Sequence, residues 1–335
     1  MYRKNWIHYI LDRFYRAVPV SNEQKAGAVY QNESWCYMKH HGFKQKAYIG
    51  YLYILPWILG FLFFQLYPLA TSFYYSFTDY NITSKPVWVG LENYIRMFTD
   101  DRLFSESLFN TFKYVFMSLP LKLLAALAVA LILNQKLKGI NFYRTVYYIP
   151  SIFGGSVAIS VLWRFLFMDG GLVNQMLKQM GLPSVPWLSE PGFALFTLSL
   201  LSVWQFGSSM VLFLAALKQV PEDLYEAALI DGAGKLYLFF SITLPMITPV
   251  LFFNLLMQMV NAFQDFTGAF VITNGGPLNA TYLYALKLYD EAFKYFNMGY
   301  SSALSWVLFA IILCFTGVFF RFSEAVTYYE DGGDF

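Results

Sequence analysis

The stretch GYSSALSWVLFAIILCFTGVFF, residues 299–320, decides the fold class because it runs for 22 residues without a charged side chain. About 20 apolar residues in a helix cross the roughly 30 Å hydrocarbon core of a bilayer. Five other apolar runs precede this one, and they cover residues 49–77, 114–133, 145–168, 193–217 and 242–264. The sequence therefore predicts an all-α membrane protein with about six transmembrane helices.

The composition agrees with a chain that lies mostly in lipid. Hydrophobic residues make up 57% of the chain and charged residues only 13%, about half the charged fraction of a typical soluble domain. The net charge of +2 is too small to indicate nucleic acid as a partner. All three histidines lie in the first 41 residues, so the predicted spans contain none, and we expect no metal site.

Lysine and arginine are unevenly distributed between the connecting segments. They are more numerous in the segments that a cytoplasmic N-terminus would place inside the cell, as is typical of membrane proteins. With an even number of spans, both termini are then predicted to be cytoplasmic. We expect a basic N-terminal extension over 1–47, a transmembrane domain over 48–323 and a short acidic tail over 324–335. Composition leaves two structures open for the extension, an amphipathic helix on the membrane surface or a partly disordered tail.

The segment between the fourth and fifth runs, about residues 221–245, has the pattern of a short helix followed by a break. Pro221 and the two acids after it form a helix-start signal. Ala228 and Gly232 are four positions apart, so we expect them to share a helix face that lets another backbone approach closely. Two interpretations fit: a docking element from which Glu226 projects, or a capped connector whose acids complement the helix dipole.

Polar side chains interrupt the fourth and fifth runs. In the fifth run they follow intervals of three, three and one, which places them on roughly one helix face: Gln258, Asn261, Gln264 and Asp265. In the fourth run, Gln205 and Ser208 add polar atoms and Trp204 adds an aromatic face. Such groups can bind the hydroxyls and the apolar side of a sugar ring, although polar residues in membranes also make helix–helix hydrogen bonds.

Lys113 directly precedes the second run, and Lys122 and Arg164 lie within the second and third runs, near enough to an end for their side chains to reach the interface. Long basic side chains near a helix end extend to the membrane interface. We therefore expect these three residues to be interfacial anchors rather than ligand contacts.

Between Glu226 and Pro245 the chain resembles the EAA loop of ABC importer permeases at every defined position. Those positions are Glu226, Ala227, Ala228, Gly232, Ile242, Leu244 and Pro245, and Asp231 and Ala233 fit the extended form found in sugar permeases. The resemblance covers about residues 50–320. It indicates the carbohydrate-uptake family, and within that family the maltose-transporter-type inner-membrane subunit.

This resemblance implies the type I ABC importer permease fold and a transport subunit that is not an enzyme and has no catalytic residues. In the family the EAA loop contacts the ATPase, so the coupling residues are expected to be Glu226, Ala227, Ala228, Asp231 and Gly232. The implied partners are a second homologous permease, two ATP-binding cassette subunits, an extracytoplasmic solute-binding protein and membrane lipid. The implied location is the bacterial cytoplasmic (inner) membrane. The sequence contains no G-x-x-x-x-G-K-[ST] motif, so we expect ATP and Mg on the ATPase subunits and no cofactor on this chain.

The predicted function is import of an oligosaccharide or a related carbohydrate. The expected substrate contacts are Trp204, Gln205, Ser208, Gln258, Asn261, Gln264 and Asp265. The nearest alternative is an ABC permease for another solute, such as glycerol phosphate or a polyamine, but a phosphate would favour arginines in the cavity. An ion-coupled secondary transporter would use buried acids or histidines, and only Asp265 is a candidate. A membrane-embedded enzyme would need a cluster of such groups, which the sequence does not show.

Overall fold

The computed structural model describes residues 47–135 and 138–326. The N-terminal extension predicted over 1–47, apart from its last residue, lies outside the described residues. So does the predicted acidic tail from residue 327 onward. The chain divides into two compact units, residues 1–70 and 71–335.

The described part of the first unit is helical. It consists of α1 (Ala47–Phe61), a π-helical turn (Leu62–Leu66) and the start of α2 (Tyr67–Tyr75). In the candidate span Tyr51–Tyr75, no residue of the most apolar stretch is buried inside the protein. Full exposure of aromatic and aliphatic side chains fits a helix whose surroundings are lipid or another chain.

The second unit is also mostly helical and has one two-stranded sheet. Its strands are β1 (Thr78–Asp79) and β2 (Val87–Trp88), which pair antiparallel with Thr78 opposite Trp88. Its helices up to the fourth span are α3 (Glu92–Thr99), α4 (Arg102–Leu133), α5 (Ile140–Ile152), α6 (Val157–Phe167), α7 (Leu172–Gln179), α8 (Pro191–Trp204) and α9 (Gly207–Leu217). The later helices are α10 (Glu222–Ile230), α11 (Lys235–Leu238), α12 (Leu244–Phe263), α13 (Tyr284–Tyr289) and α14 (Met298–Val326). Three π-helical turns lie among them, at Phe239–Thr243, Ala269–Thr273 and Asp290–Lys294.

The prediction of an all-α membrane fold with about six spans is confirmed. Within the described residues, five helices are long and apolar enough to cross a bilayer, and a bent pair raises the number to six. The five are Tyr51–Tyr75, Arg102–Leu133, Val157–Gln179, Lys235–Phe263 and Met298–Arg321, and the bent pair is Pro191–Trp204 with Gly207–Leu217.

The third apolar run, 145–168, is not the single span that the sequence predicts. α5 ends at Ile152 and α6 starts at Val157, and between them Gly155 has a φ of +69°. Glycine adopts this left-handed conformation without the strain that a side chain would cause. The candidate span begins only at Val157 and continues to Gln179.

α4 is the central helix of the second unit. It packs against α8, α9 and α12, and its 32 residues extend over about 48 Å at 1.5 Å per residue. Its first half contributes Phe104 and Tyr114 to one buried apolar cluster. Its last turns contribute Ala130 and Leu133 to a second cluster, which includes Val220 just before α10. The two ends of α4 thus mark the two ends of this unit, with α3 at one and α10 at the other.

A buried ion pair joins three elements at the α3 end. Lys287 of α13 is 2% exposed, and its Nζ lies 2.7 Å from Oδ2 of Asp101, the residue that caps α4. Tyr300 of α14 donates a hydrogen bond of 2.6 Å to the same carboxylate, and Glu291 lies 3.3 Å from Lys287 on the other side. Burial raises the pKa of Asp101, but Lys287, Tyr300 and the N–H of Phe104 outweigh that effect and leave the pKa below its usual value.

Candidate functional site

A polar cavity of about 450 Å³ opens within the second unit, between α4, α8 and α12. This volume lies in the range of small-molecule binding sites, about 300–1,000 Å³. Six of the seven residues that the sequence predicts as substrate contacts line it: Gln205, Ser208, Gln258, Asn261, Gln264 and Asp265. The structure thus brings together polar residues from two separate apolar runs.

The end of α12 presents the amide groups to this cavity. Gln258 and Asn261 lie one turn apart in the helix, which ends at Phe263. Gln264 then caps the helix, and Asp265 follows it in the segment that leads to the turn Ala269–Thr273. All four side chains therefore line the cavity, as their spacing in the sequence predicts, although Gln264 and Asp265 lie beyond the end of the helix.

The fourth span breaks where it meets the cavity. α8 ends at Trp204 and α9 begins at Gly207, with a bend of 46° between them. Ser151 of α5 spans this break, because its Oγ donates to the carbonyl of Gln205 (3.1 Å) and accepts from the N–H of Ser208 (3.0 Å). Backbone groups freed inside a membrane need such partners. A serine from a neighbouring helix therefore stabilises an unwound segment that lines the cavity.

Gly207 makes the contact between α5 and the break possible. A Cβ at this position would lie 2.7 Å from the carbonyl oxygen of Tyr147 and 2.7 Å from Oγ of Ser151. Both distances are shorter than van der Waals contact allows, so only glycine fits here without displacing α5. Neither Ser151 nor Gly207 is among the residues that the sequence predicts for the site. The one available signal was a glycine in the middle of an otherwise apolar run.

Trp204 is not part of the cavity lining. It is 37% exposed, and its ring lies against that of Trp163, with the ring centroids 5.8 Å apart. Leu201 and Ser202 of α8 and then Gln205 line the cavity, whereas Trp204, the last residue of the helix, does not. A direct contact between Trp204 and the solute stays a prediction that this geometry does not favour.

Lys122 lines the cavity, so its predicted role as an interfacial anchor is wrong. The residue lies near the middle of the apolar run 114–133, and its face of α4 is turned toward the cavity rather than toward a membrane surface. By contrast, Lys113 and Arg164 are exposed, and the ammonium of Lys113 sits 4.3 Å from the ring centroid of Phe109. The cavity wall therefore carries a cation as well as the carboxylate of Asp265.

The predicted coupling segment forms the exposed helix α10 at the opposite end from α3. It begins directly after Pro221, as predicted, and Glu226 and Ala227 are exposed on it. Ala228 and Gly232 do not share a helix face, because α10 ends at Ile230 and Gly232 has a φ of +81°. The chain turns at this glycine and enters α11, which leads into the fifth span.

Apolar side chains are unusually exposed around this turn. Ile230 is 87% exposed, Leu236 is 76% exposed and Leu229 is 58% exposed. Together with Glu226 they form a surface that combines large apolar groups with one carboxylate. Contiguous exposed groups of this kind are typical of protein–protein contact sites.

Residues 102–327 match the family model described as "Binding-protein-dependent transport system inner membrane component". The chain belongs to this family. The permease is 46% identical over 295 residues to the probable ABC transporter permease protein YesP of Bacillus subtilis (strain 168), covering 87% of this chain and 96% of YesP. It is 36% identical over 283 residues to the trehalose/maltose transport system permease protein MalF of Thermococcus litoralis, covering 83% and 94% of the two chains.

A solved structure shows the same fold. The permease superposes on a chain of the crystal structure of a bacterial ABC transporter involved in the import of the acidic polysaccharide alginate, with a TM-score of 0.74 at 21% identity. The match covers 88% of this chain and 100% of that chain. The resemblance to ABC importer permeases is confirmed, and the permease is a multi-pass inner-membrane component of a transport system. Its matched region includes both the cavity and α10.

Proposed function

We propose that this permease is the membrane-spanning subunit of an ATP-driven importer for an oligosaccharide or a related carbohydrate. The observation that carries the proposal is the cavity of about 450 Å³ among the spans, with Gln205, Ser208, Gln258 and Asn261 on its wall. Each of these side chains can donate and accept hydrogen bonds, as the hydroxyls of a sugar do. The name of one relative, a trehalose/maltose permease, supports the same class of solute.

The exposed helix α10 is the proposed dock for an ATPase subunit. Glu226 would make the polar contact, Ala227, Ala228, Asp231 and Gly232 would allow close approach, and the apolar groups around Ile230 would be buried on binding. Two such ATPase subunits would bind ATP and Mg, because this chain has no phosphate-binding loop. Movement of α10 would then pass through α11 into the fifth span, whose far end lines the cavity.

The remaining partners follow from the exposed surfaces. The first described span, with no buried apolar side chain, would lie against lipid or a second, homologous permease. The α3 end would face outward and receive the solute from a binding protein, with both termini of the transmembrane domain 48–323 on the cytoplasmic side. The cavity would open to each side of the membrane in alternation.

Uptake assays with the complete importer test the proposal. Gln258→Leu and Asn261→Leu should each lower uptake of a transported oligosaccharide at least about fivefold, because each removes one or more hydrogen bonds worth about 1 kcal/mol in the cavity. The matched control is Gln175→Leu, since Gln175 is an exposed amide on α7 outside the cavity. Co-purification with the second permease should be normal for all three variants. Loss of assembly in the cavity variants would mean that these amides are packing contacts and that the cavity is not the solute site.

A further inference from the structure

Two charged side chains lie on the wall of the cavity, and they are held in different ways. Asp265 accepts a hydrogen bond from the buried hydroxyl of Tyr114 and another from the backbone N–H of Gly268. Lys122 has no hydrogen bond to any group in residues 47–135 and 138–326, and Asp265 lies beyond the 4.0 Å limit of an ion pair. The carboxylate is thus hydrogen-bonded to protein atoms, whereas the ammonium is attracted by Asp265 from a distance and has no direct contact with a polar group among the described residues.

The position of Lys122 makes this lack of a partner informative. The residue lies near the centre of an apolar run on the central helix, where an ionised group is costly unless it faces water or a binding partner. Its side chain is half-buried and lines the cavity. The ammonium therefore has its three N–H donors available to whatever enters the cavity.

The positive charge of Lys122 indicates which kind of solute group would bind at this position of the cavity. A neutral sugar hydroxyl can accept one hydrogen bond from an ammonium, but a carboxylate accepts the same bond and also neutralises the charge of the ammonium, as in an ion pair. A phosphate carries up to two charges and is usually bound by several cations or by an arginine. Among the described residues, the cavity lining contains one cation and no arginine, which matches a single carboxylate.

We propose that Lys122 binds a carboxylate on the solute, so that the imported carbohydrate is an acidic saccharide containing a uronic acid. The neutral amides of Gln258 and Asn261 then bind the hydroxyls of the same solute, while Asp265 stays bonded to Tyr114. This inference rests on the proposed import of a carbohydrate through the cavity. It adds the chemical class of that carbohydrate and the residue that selects it.

The experiment compares solutes that differ in charge but hardly in shape. The complete importer is reconstituted in proteoliposomes, and uptake is measured for short uronic-acid oligosaccharides, for the same oligosaccharides with every carboxyl methyl-esterified, and for a phosphorylated sugar. The wild-type permease is compared with Lys122→Gln, with Lys122→Arg and with the control Lys113→Gln, which removes an exposed lysine from the same helix. Co-purification of the four subunits reports assembly for each variant.

The wild type should take up the free acids at least about tenfold more efficiently than the methyl esters, and Lys122→Gln should remove most of that preference by raising KM for the acids. Lys122→Arg should keep the preference, and Lys113→Gln should behave as the wild type. A wild type that prefers the esters or the phosphorylated sugar would overturn the proposal, and so would a Lys122→Gln variant that loses both substrates equally. The preference of the wild type for free acids over esters tests the proposal even if Lys122→Gln fails to fold. If no saccharide of any charge is taken up, the import of carbohydrate itself fails.

Discussion

The hydroxyl of Tyr225 lies 2.8 Å from the hydroxyl of Thr243, so the coupling helix α10 is hydrogen-bonded to the π-helical turn that begins the fifth span. Thr243 uses its own proton to donate to the carbonyl of Leu238 at 3.2 Å. Tyr225 is therefore the donor in the pair. The contact connects α10 directly to the fifth span, whose other end carries Gln258 and Asn261. It is separate from the covalent connection through the turn at Gly232.

Tyr225→Phe should weaken the coupling between ATP hydrolysis and transport. The change removes one hydrogen bond of about 1 kcal/mol, which corresponds to roughly a fivefold change in an equilibrium, and it leaves Thr243 bonded to Leu238. The measurement is the ratio of solute transported to ATP hydrolysed in reconstituted importer, which should fall several-fold while assembly is unchanged. Tyr237→Phe, which alters a 61% exposed tyrosine on α11, is the control. An unchanged ratio in Tyr225→Phe would show that this contact does not transmit the movement.

Glu226→Lys should abolish transport while leaving membrane insertion intact. Glu226 is exposed on α10 and forms no ion pair within residues 47–135 and 138–326, so reversal of its charge should act mainly on the ATPase contact. Retention of the ATPase during purification of the complex is the first measurement, and solute uptake is the second. Glu226→Gln keeps a hydrogen-bond acceptor and should retain part of the activity. Normal uptake by Glu226→Lys would count heavily against α10 as the coupling element.

Sequence patterns predicted the features that depend on local order along the chain. Five of the six apolar runs correspond to spans, Pro221 marks the start of α10, and six of the seven proposed contacts in two runs line the cavity. These features follow from hydrophobic length, helix-start chemistry and helical spacing.

Features that depend on which helices pack together could not be predicted in this way. Lys122 faces the cavity because of the way α4 packs against α8 and α12. The sequence of an apolar run does not show which face of its helix is turned inward. The bend in the fourth span depends on Ser151, which is more than 50 residues away in the chain. The buried pair of Asp101 and Lys287 likewise joins the cap of α4 to helix α13, which lies far away in the chain. A single sequence contains no direct record of such pairings.

The Asp101–Lys287 pair should make the α3 end of the permease sensitive to acid. The pKa of Asp101 is lowered in the folded protein from its usual value of 3.8, so its contribution to stability is present above about pH 4 and is lost as the pH falls through the lowered value. Asp101→Asn should be less stable than the wild type at neutral pH, and the difference between the two should shrink below about pH 4. Hydrogen exchange of the amides in α13, followed from pH 6 to pH 3, measures this difference.

The neighbouring residue provides the control for this pH dependence. Asp100→Asn removes an exposed carboxyl and should show the same exchange as the wild type at every pH. Other carboxyl groups also titrate in this range, so the result is the difference between variant and wild type rather than either curve alone. A difference between Asp101→Asn and wild type that stays constant with pH would show that the ionic contact is not what stabilises this end.

Gly207→Ala should disrupt the cavity without changing any polar group that lines it. The new Cβ would lie 2.7 Å from Tyr147 O and from Ser151 Oγ, so α5 must move away and Ser151 can no longer bridge Gln205 and Ser208. Overpacking of this kind costs about 1–3 kcal/mol, and the broken helix also loses its backbone partners. We expect a lower Tm in detergent and a loss of uptake of at least about tenfold. Gly192→Ala is the matched control, because a Cβ at Gly192 in α8 would have nothing within 4 Å. If the two variants unfold at the same temperature and transport equally well, then the contact between α5 and the break is not needed to form the site.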